Sequence, residues 1–221
     1  MTYTWNFNAV FAYQDAMLGG AALTLQLTLA SVVLGTVGGL LLCLARGSRV
    51  RAIRLGGELF AEVFRGLPLL MVLVWLFYAF PSVLGVKLSA FDTAVIGLAL
   101  NLAAFSSDIF RAGISAIPRG QWEASLALGL TELQTLRDIV FPQAARVIIP
   151  PLAGRYIETV KLTALASVIA VDELLHVGGN IISVSYRPLE VYTAIALLYL
   201  AIILPLSAGL AKLEGKQWKA Q

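Results

Sequence analysis

Residues 16–45 contain no charged side chain, and neither do residues 66–86 or 191–211. An α-helix rises about 1.5 Å per residue, so about 20 apolar residues cross about 30 Å of hydrocarbon. Runs of this length commit a chain to lipid as its main solvent. There, each backbone N–H and C=O needs a partner inside the chain, which a helix provides. Only 13% of the 221 residues are charged, against about a quarter in soluble domains. Two further apolar stretches are interrupted by charges. Together they predict an all-α, polytopic membrane protein, a single domain over 1–221. Its five transmembrane helices fall at about 17–45, 60–81, 90–113, 152–175 and 190–211, with a long loop at about 114–146.

Residue usage narrows the function classes. Cys43 is the only cysteine, which rules out an intrachain disulfide and a cysteine-rich metal site. His176, the only histidine, reads as an ordinary loop residue. Neither a metal site nor a catalytic residue is expected. The first basic residue is Arg46, so the basic n-region of a secretory signal is missing. No basic face lies outside the loops flanking the spans, which argues against a nucleic-acid partner. The one Gly-Lys pair, Gly215-Lys216, lacks the upstream glycine of a phosphate loop and is followed by Gln217. The chain itself is therefore expected to hold no ATP in that way.

Lys and Arg accumulate on the cytoplasmic side of short loops. The N-terminal tail has neither, and carries Asp15. Arg46, Arg49, Arg51 and Arg54 follow the first span, whereas only Lys87, balanced by Asp92, separates the second from the third. Arg111, Arg119, Arg137 and Arg146 come next. Arg187 then stands against Asp172, Glu173 and Glu190, and the C-terminal tail carries Lys212, Lys216 and Lys219. This alternation predicts the N-terminus outside, the C-terminus inside, and a cytoplasmic 114–146 loop.

The loop is patterned as two short helices. Pro118 suits the first turn of one that ends near Gly129, a C′ glycine. Thr131 reads as the N-cap of the second, with Gln134 completing a capping box. Leu133, Leu136 and Val140 recur at helical spacing, and Pro142 is expected to stop the helix. Such a loop is either a docking surface for a soluble partner or an interfacial helix pair lying on the bilayer.

Polar residues inside spans cost about 2.5–3.5 kcal/mol each for charges at the membrane centre, so they face a cavity or a partner. Asn101, Phe105 and Asp108 share one helical face. Asp108 also reaches Arg111, and a structural ion pair is the favoured reading over substrate contact. Arg155, Glu158 and Lys161 step by three. Lys161, followed by Thr163 and Ser167, is the best candidate for lining a pathway. The Gly35-x-x-x-Gly39 motif permits close helix approach, within the chain or between copies. Pro68 and Pro205 are expected to kink their helices.

Glu123-Ala124-Ser125, then Gly129, Ile139 and Phe141-Pro142, resembles the Glu-Ala-Ala loop of ABC-importer permeases, with Ser125 where the family has Ala and Phe141 where it has Leu. Phe64–Leu70, Ser106–Ser125, Ala166–Leu175 and Tyr186–Leu200 are similar to the polar amino acid permeases of that family. The resemblance runs from about residue 17 to 212. It implies a type I importer fold whose loop is a coupling helix for an ATPase, through Glu123, Ala124, Ser125, Gly129, Ile139 and Pro142. It further implies a translocation pathway with Asn101, Asp108, Lys161, Thr163 and Ser167 as candidate lining. The partners implied are two ATP-binding subunits carrying ATP and Mg, a second permease subunit, identical or related, and an external substrate-binding protein. An amino acid substrate and membrane lipid complete the set, in a bacterial cytoplasmic (inner) membrane. The subfamily often has Lys-Asp-Thr-Ser where this chain has Lys161-Leu162-Thr163-Ala164, so Lys161 either pairs with Glu158 or meets a substrate carboxylate. Two other classes compete: a self-sufficient transporter or channel, and a membrane anchor for a cytoplasmic enzyme.

Overall fold

The computed structural model describes residues 3–218, which are helical apart from turns and short connections. Lys219, one of the tail residues used for orientation, lies outside them. The order is α1 (Asn8–Ala12), α2 (Gln14–Arg46), α3 (Arg51–Gly66), α4 (Leu69–Val74), α5 (Phe80–Leu84) and α6 (Ala90–Ser115). Then come α7 (Arg119–Ala127), α8 (Glu132–Gln134), α9 (Phe141–Leu162), α10 (Leu174–Ser185) and α11 (Pro188–Trp218). A π-helical turn at Trp75–Ala79 joins α4 to α5, and a 3-10 stretch at Thr163–Ile169 follows α9.

Among the described residues, three helices are long and apolar enough to cross a membrane: α2, α6 and the Pro188–Lys212 part of α11. The α3–α4 pair would make a fourth. Alpha-helix α9 has a span's length, but Arg146, Arg155, Glu158 and Lys161 dilute its apolar character.

The centre of the fold is the α2–α6 pair, drawn together by glycine. A Cβ at Gly35 would stand 2.8 Å from Leu102 Cβ, and one at Gly39 would stand 2.7 Å from Ser106 Cβ. Carbon atoms pack best near 3.5–4.0 Å, so neither position admits a side chain. The Gly35-x-x-x-Gly39 motif is therefore used for packing within the chain. Leu27, Leu98, Ala94, Leu69 and Leu73 join Ala166 and Ile169 in one core beside this pair.

The expected second span, 60–81, is not one helix. It breaks between α3 and α4, and the axis of the helical run Leu69–Val83 differs from that of α3 by 106°. Pro68 is the cause: it has no N–H, and its ring drives the preceding residue out of the helical region. Leu67 is accordingly extended, at φ −83° and ψ 136°.

The 152–175 expectation also needs correction. The α-helix begins at Phe141 and ends at Leu162; the next seven residues tighten to 3-10, and Ala170 takes a left-handed φ of 57°. Nor does Pro142 stop a helix. A π-helical turn over Thr135–Val140 carries the helix from α8 into α9 with Pro142 in the first turn of α9. The wider turn relieves the clash a proline makes with the carbonyl four residues back.

The N-terminal tail, α10 and the start of α11 gather at one end. Met17, Leu174, Ile181, Val191 and Ile195 pack there. Glu190, fully buried, accepts from the Tyr3 hydroxyl and from the Asn6 N–H at 2.9 Å. The bond to Glu190 raises the Tyr3 phenol above its ordinary pKa. Glu173, also fully buried, caps α10 through the Leu175 and His176 N–H groups and accepts from Tyr199 at 2.8 Å. His176 lies in the first turn of α10, its Nε2 3.6 Å from an Asp172 oxygen.

Candidate functional site

The other end carries the loop. Helix α7 closes with the predicted C′ glycine: Gly129 has φ 80°, its N–H donates to Leu126 O at 3.0 Å, and the Leu130 N–H donates to Ser125 O at 3.1 Å. That hydrogen-bond pair is a Schellman closure. Pro118 stands at the N-cap, one place before the expected first turn. Thr131 and Gln134 form the predicted capping box. Ile117, Val140, Ala144 and Ile148 bury the base of the loop with Trp122 packed against them.

The named loop residues divide. Glu123, Ala124, Gly129 and Pro142 are exposed, Ile139 is half-buried, and Ser125 is buried with its hydroxyl on Gln121 O. At the tip Leu128, which pattern reading passed over, is 83% exposed, and Leu133, read there as one of a helically spaced set, is 74% exposed. Leucines this bare, beside Leu126 and Phe141, form an apolar patch of the kind that marks an interaction site. The sequence signal of Leu128 is its position, directly before the helix-terminating Gly129.

Above the loop lies an ion network. Arg46, 5% exposed, donates to Glu58 through Nη2 at 2.8 Å and, through Nη1, to Asp108 at 2.6 Å and Ser107 at 2.7 Å. Arg65 reaches the second Asp108 oxygen, and Arg111 pairs with Glu58 at 2.5 Å. The expected Asp108–Arg111 pair is thus replaced. Both residues turn toward α3, because the buried Arg46 draws both carboxylates. Asp108 joins α2, α3 and α6 here.

Asn101 is buried at the elbow between α3 and α4. Its Nδ2 donates to Phe64 O at 3.2 Å. That carbonyl would normally pair with the N–H four residues on, which Pro68 lacks. Its Oδ1 accepts from Arg155 Nη2 at 2.8 Å; Arg155 also lies over the Phe105 ring, 3.6 Å from its centroid, and pairs with Glu158 at 2.5 Å. Both ends of the Asn101 amide therefore serve the fold.

The remaining pathway candidates lie at the end of α9 and in the 3-10 stretch that follows it. Lys161 is exposed and makes no ion pair among the described residues. Thr163 is buried and donates to Val160 O; half-buried Ser167 donates to Ala164 O. Lys161 thus keeps a free ammonium among the described residues, while Glu158 is taken by Arg155.

Comparison with known proteins places this geometry. A family model described as binding-protein-dependent transport system inner membrane component matches residues 31–218. The chain is similar to the L-cystine transport system permease protein TcyB of Bacillus subtilis (strain 168), 41% identical over 170 residues, covering 77% of this chain and 72% of that one. It is also similar to the glutamine transport system permease protein GlnP of Escherichia coli (strain K12), 34% identical over 224 residues and covering 98% of both. Among solved structures, an amino acid ABC transporter chain superposes with a TM-score of 0.91 at 34% identity, covering 97% of this chain and 100% of that chain.

Proposed function

The chain belongs to the binding-protein-dependent transport system inner membrane components, as a membrane permease subunit of an ATP-driven ABC importer, and from that premise we propose that its cargo is a polar amino acid or a related compound. In this family ATP hydrolysis is carried by separate subunits, and the family implies ATPase, permease and substrate-binding-protein partners. The finer reading is two ATPase subunits below and a second permease subunit beside this one. The N-terminus lies outside and the C-terminus inside, in contact with lipid throughout.

The observation that carries the cargo reading is similarity over 77% to 98% of the chain to permeases named for glutamine, cystine, arginine and octopine. Each of these compounds bears an α-carboxylate. A free Lys161 ammonium at the end of α9 suits that group, because an unpaired charge within a span faces a cavity or a partner rather than lipid. Thr163 and Ser167 turn their hydroxyls back on the helix, and we assign them to shaping the wall. At the other end, Glu123, Ala124, Gly129, Leu128 and Leu133 form the surface offered to the ATPase. Ser125, Ile139 and Pro142 hold it in place.

Reconstitution tests the reading. The permease, its ATPase and its binding protein in liposomes should take up amino acid only with ATP. Flux without ATP would favour a self-sufficient transporter, and none under any condition a membrane anchor. Lys161→Met should lose uptake or change its substrate range; wild-type uptake with unchanged range would remove Lys161 from the pathway.

A further inference from the structure

Residues 3–13 hold five aromatic side chains, and all five are exposed: Tyr3, Trp5, Phe7, Phe11 and Tyr13. The Trp5 ring stacks on Phe7 with centroids 5.7 Å apart, and Tyr3 meets Trp5 edge-on at 5.6 Å. The row is held in place. Besides the two bonds to buried Glu190, the Thr4 carbonyl accepts from Arg187 Nη1 at 3.2 Å. Val10 packs against the cluster of Met17, Leu174 and Val191. The tail is thus strapped to the start of α11.

The level of this row follows from what surrounds it. Helices α2 and α11 both begin here, at Gln14 and Pro188, and both are long and apolar enough to cross a membrane. Asp15, in the first turn of α2, and Asp172, just before α10, are exposed. Exposed carboxylates are costly in hydrocarbon, so this end of the two spans stands at the water boundary. Water, protein or lipid headgroups can cover an aromatic row at that level. Bare rings in a row make an apolar patch that water-facing surfaces rarely carry. A soluble partner is poorly served, because no charged side chain precedes Asp15 to steer it or pair with it. The lipid interface suits the row on both counts. Trp and Tyr rings settle at headgroup level, with apolar faces toward the acyl chains and polar atoms toward water. Tyr186 and Tyr192, at the same end of α11, are exposed as well and widen the row.

We propose that Tyr3–Tyr13 is an interfacial anchor, its Trp5, Phe7 and Phe11 rings seated where the lipid headgroups meet the acyl chains. The partner is lipid, recognised by apolar area and not by charge, since the segment has no Lys or Arg. Segments of this kind enter the headgroup–acyl boundary by about 5–10 Å. Through Glu190 the anchor ties the start of α11 to the membrane surface. That helix buries little of its apolar run within the chain, so a tie at its first turn matters. The anchor is independent of the cargo.

Spin labels test it in the assembled complex. In a Cys43→Ala background, Phe11→Cys is labelled with a nitroxide before it joins the ATPase and binding protein in vesicles of phosphatidylethanolamine and phosphatidylglycerol. Phe11 is 68% exposed; Trp5, 57% exposed, supplies Trp5→Cys as second reporter should Phe11→Cys insert poorly. Collisions with oxygen, which concentrates in lipid, and with a nickel chelate, which stays in water, give the depth. Lipids carrying the nitroxide on the headgroup or midway along the acyl chain calibrate the scale. The protein label should read between these two lipids, with and without the binding protein. A reading like that of a free nitroxide in buffer places the tail in water and overturns the proposal. A label shielded from both reagents is covered by protein, a second permease subunit if the shielding is constant and the binding protein if it appears only with that partner. Either outcome overturns the proposal too. In vesicles of phosphatidylcholine alone the depth should not change. A label that moves into water there would show that anionic headgroups hold the tail, and would overturn recognition by apolar area.

Discussion

Asn101 gives its side-chain amide to the carbonyl of Phe64, 3.2 Å away, in place of the N–H that Pro68 lacks. Asn101→Leu should therefore leave the carbonyl unserved and the Arg155 guanidinium short of an acceptor. A buried polar group without a partner costs about 1–3 kcal/mol, or about 2–4 °C of Tm per kcal/mol in a chain of this size. Thermal denaturation of the purified protein reads the loss. In a Pro68→Ala background Phe64 regains a donor, so the same substitution should cost less. Equal losses in both backgrounds would place the role of Asn101 elsewhere.

Arg46 and Arg111 share Glu58, yet they should not matter equally. Arg46 is 5% exposed and holds two carboxylates, whereas Arg111 is 53% exposed and holds one. Removing one partner of a buried ion pair costs about 3–5 kcal/mol, and exposed pairs contribute about 0–1 kcal/mol. Arg46→Met should lower the unfolding temperature far more than Arg111→Met. Similar losses would mean the network is strained or solvated as a whole.

Much of this was legible in the residues, and the misreadings have physical causes. Charge-free runs gave α2 and α11, and the charge-interrupted apolar stretch at 90–113 gave α6, because span length is a local property. The Gly129 closure and the Thr131–Gln134 box were readable because capping acts within four residues. The elbow was foreseen only as a kink: Pro68 announces a lost N–H, but the size of the bend depends on Asn101, 33 positions later. Pro142 misled for the same reason, since the π-helical turn that accommodates it is set by packing of Val140 and Ala144. Arg46 looked like one of four orienting charges. Its burial follows from Gly57, where a Cβ would stand 3.0 Å from Arg46 Cγ, and a sequence does not display that contact.

The two ends of α2 make opposite predictions for glycine. A Cβ at Gly39 would meet Ser106 Cβ at 2.7 Å, whereas one at Gly19 meets nothing within 4 Å. Gly39→Leu forces α2 and α6 apart, and overpacking of this kind costs about 1–3 kcal/mol. Gly19→Leu should be neutral or slightly stabilising, because glycine weakens a helix interior by about 1 kcal/mol. Yield and unfolding temperature in detergent measure both. A tolerated Gly39→Leu would show that the α2–α6 contact is looser than its geometry.

Gly129 separates folding from coupling. Its φ of 80° strains any side chain by about 1–2 kcal/mol, but the space around it is open, with nothing within 4 Å of an added Cβ. Gly129→Asp should therefore insert and extract normally while placing a carboxylate at the tip between Leu128 and Leu133. Because that tip is proposed to enter the ATPase, a buried unpaired charge there would abolish ATP-coupled uptake. Gly129→Asn has a similar shape and tolerates the same backbone, so it isolates the charge from the strain. Asparagine should retain part of the uptake and most ATPase binding, and aspartate should lose both. Normal ATP-driven uptake by Gly129→Asp would remove the tip from the docking surface. Equal loss in both variants would instead assign the effect to the backbone turn.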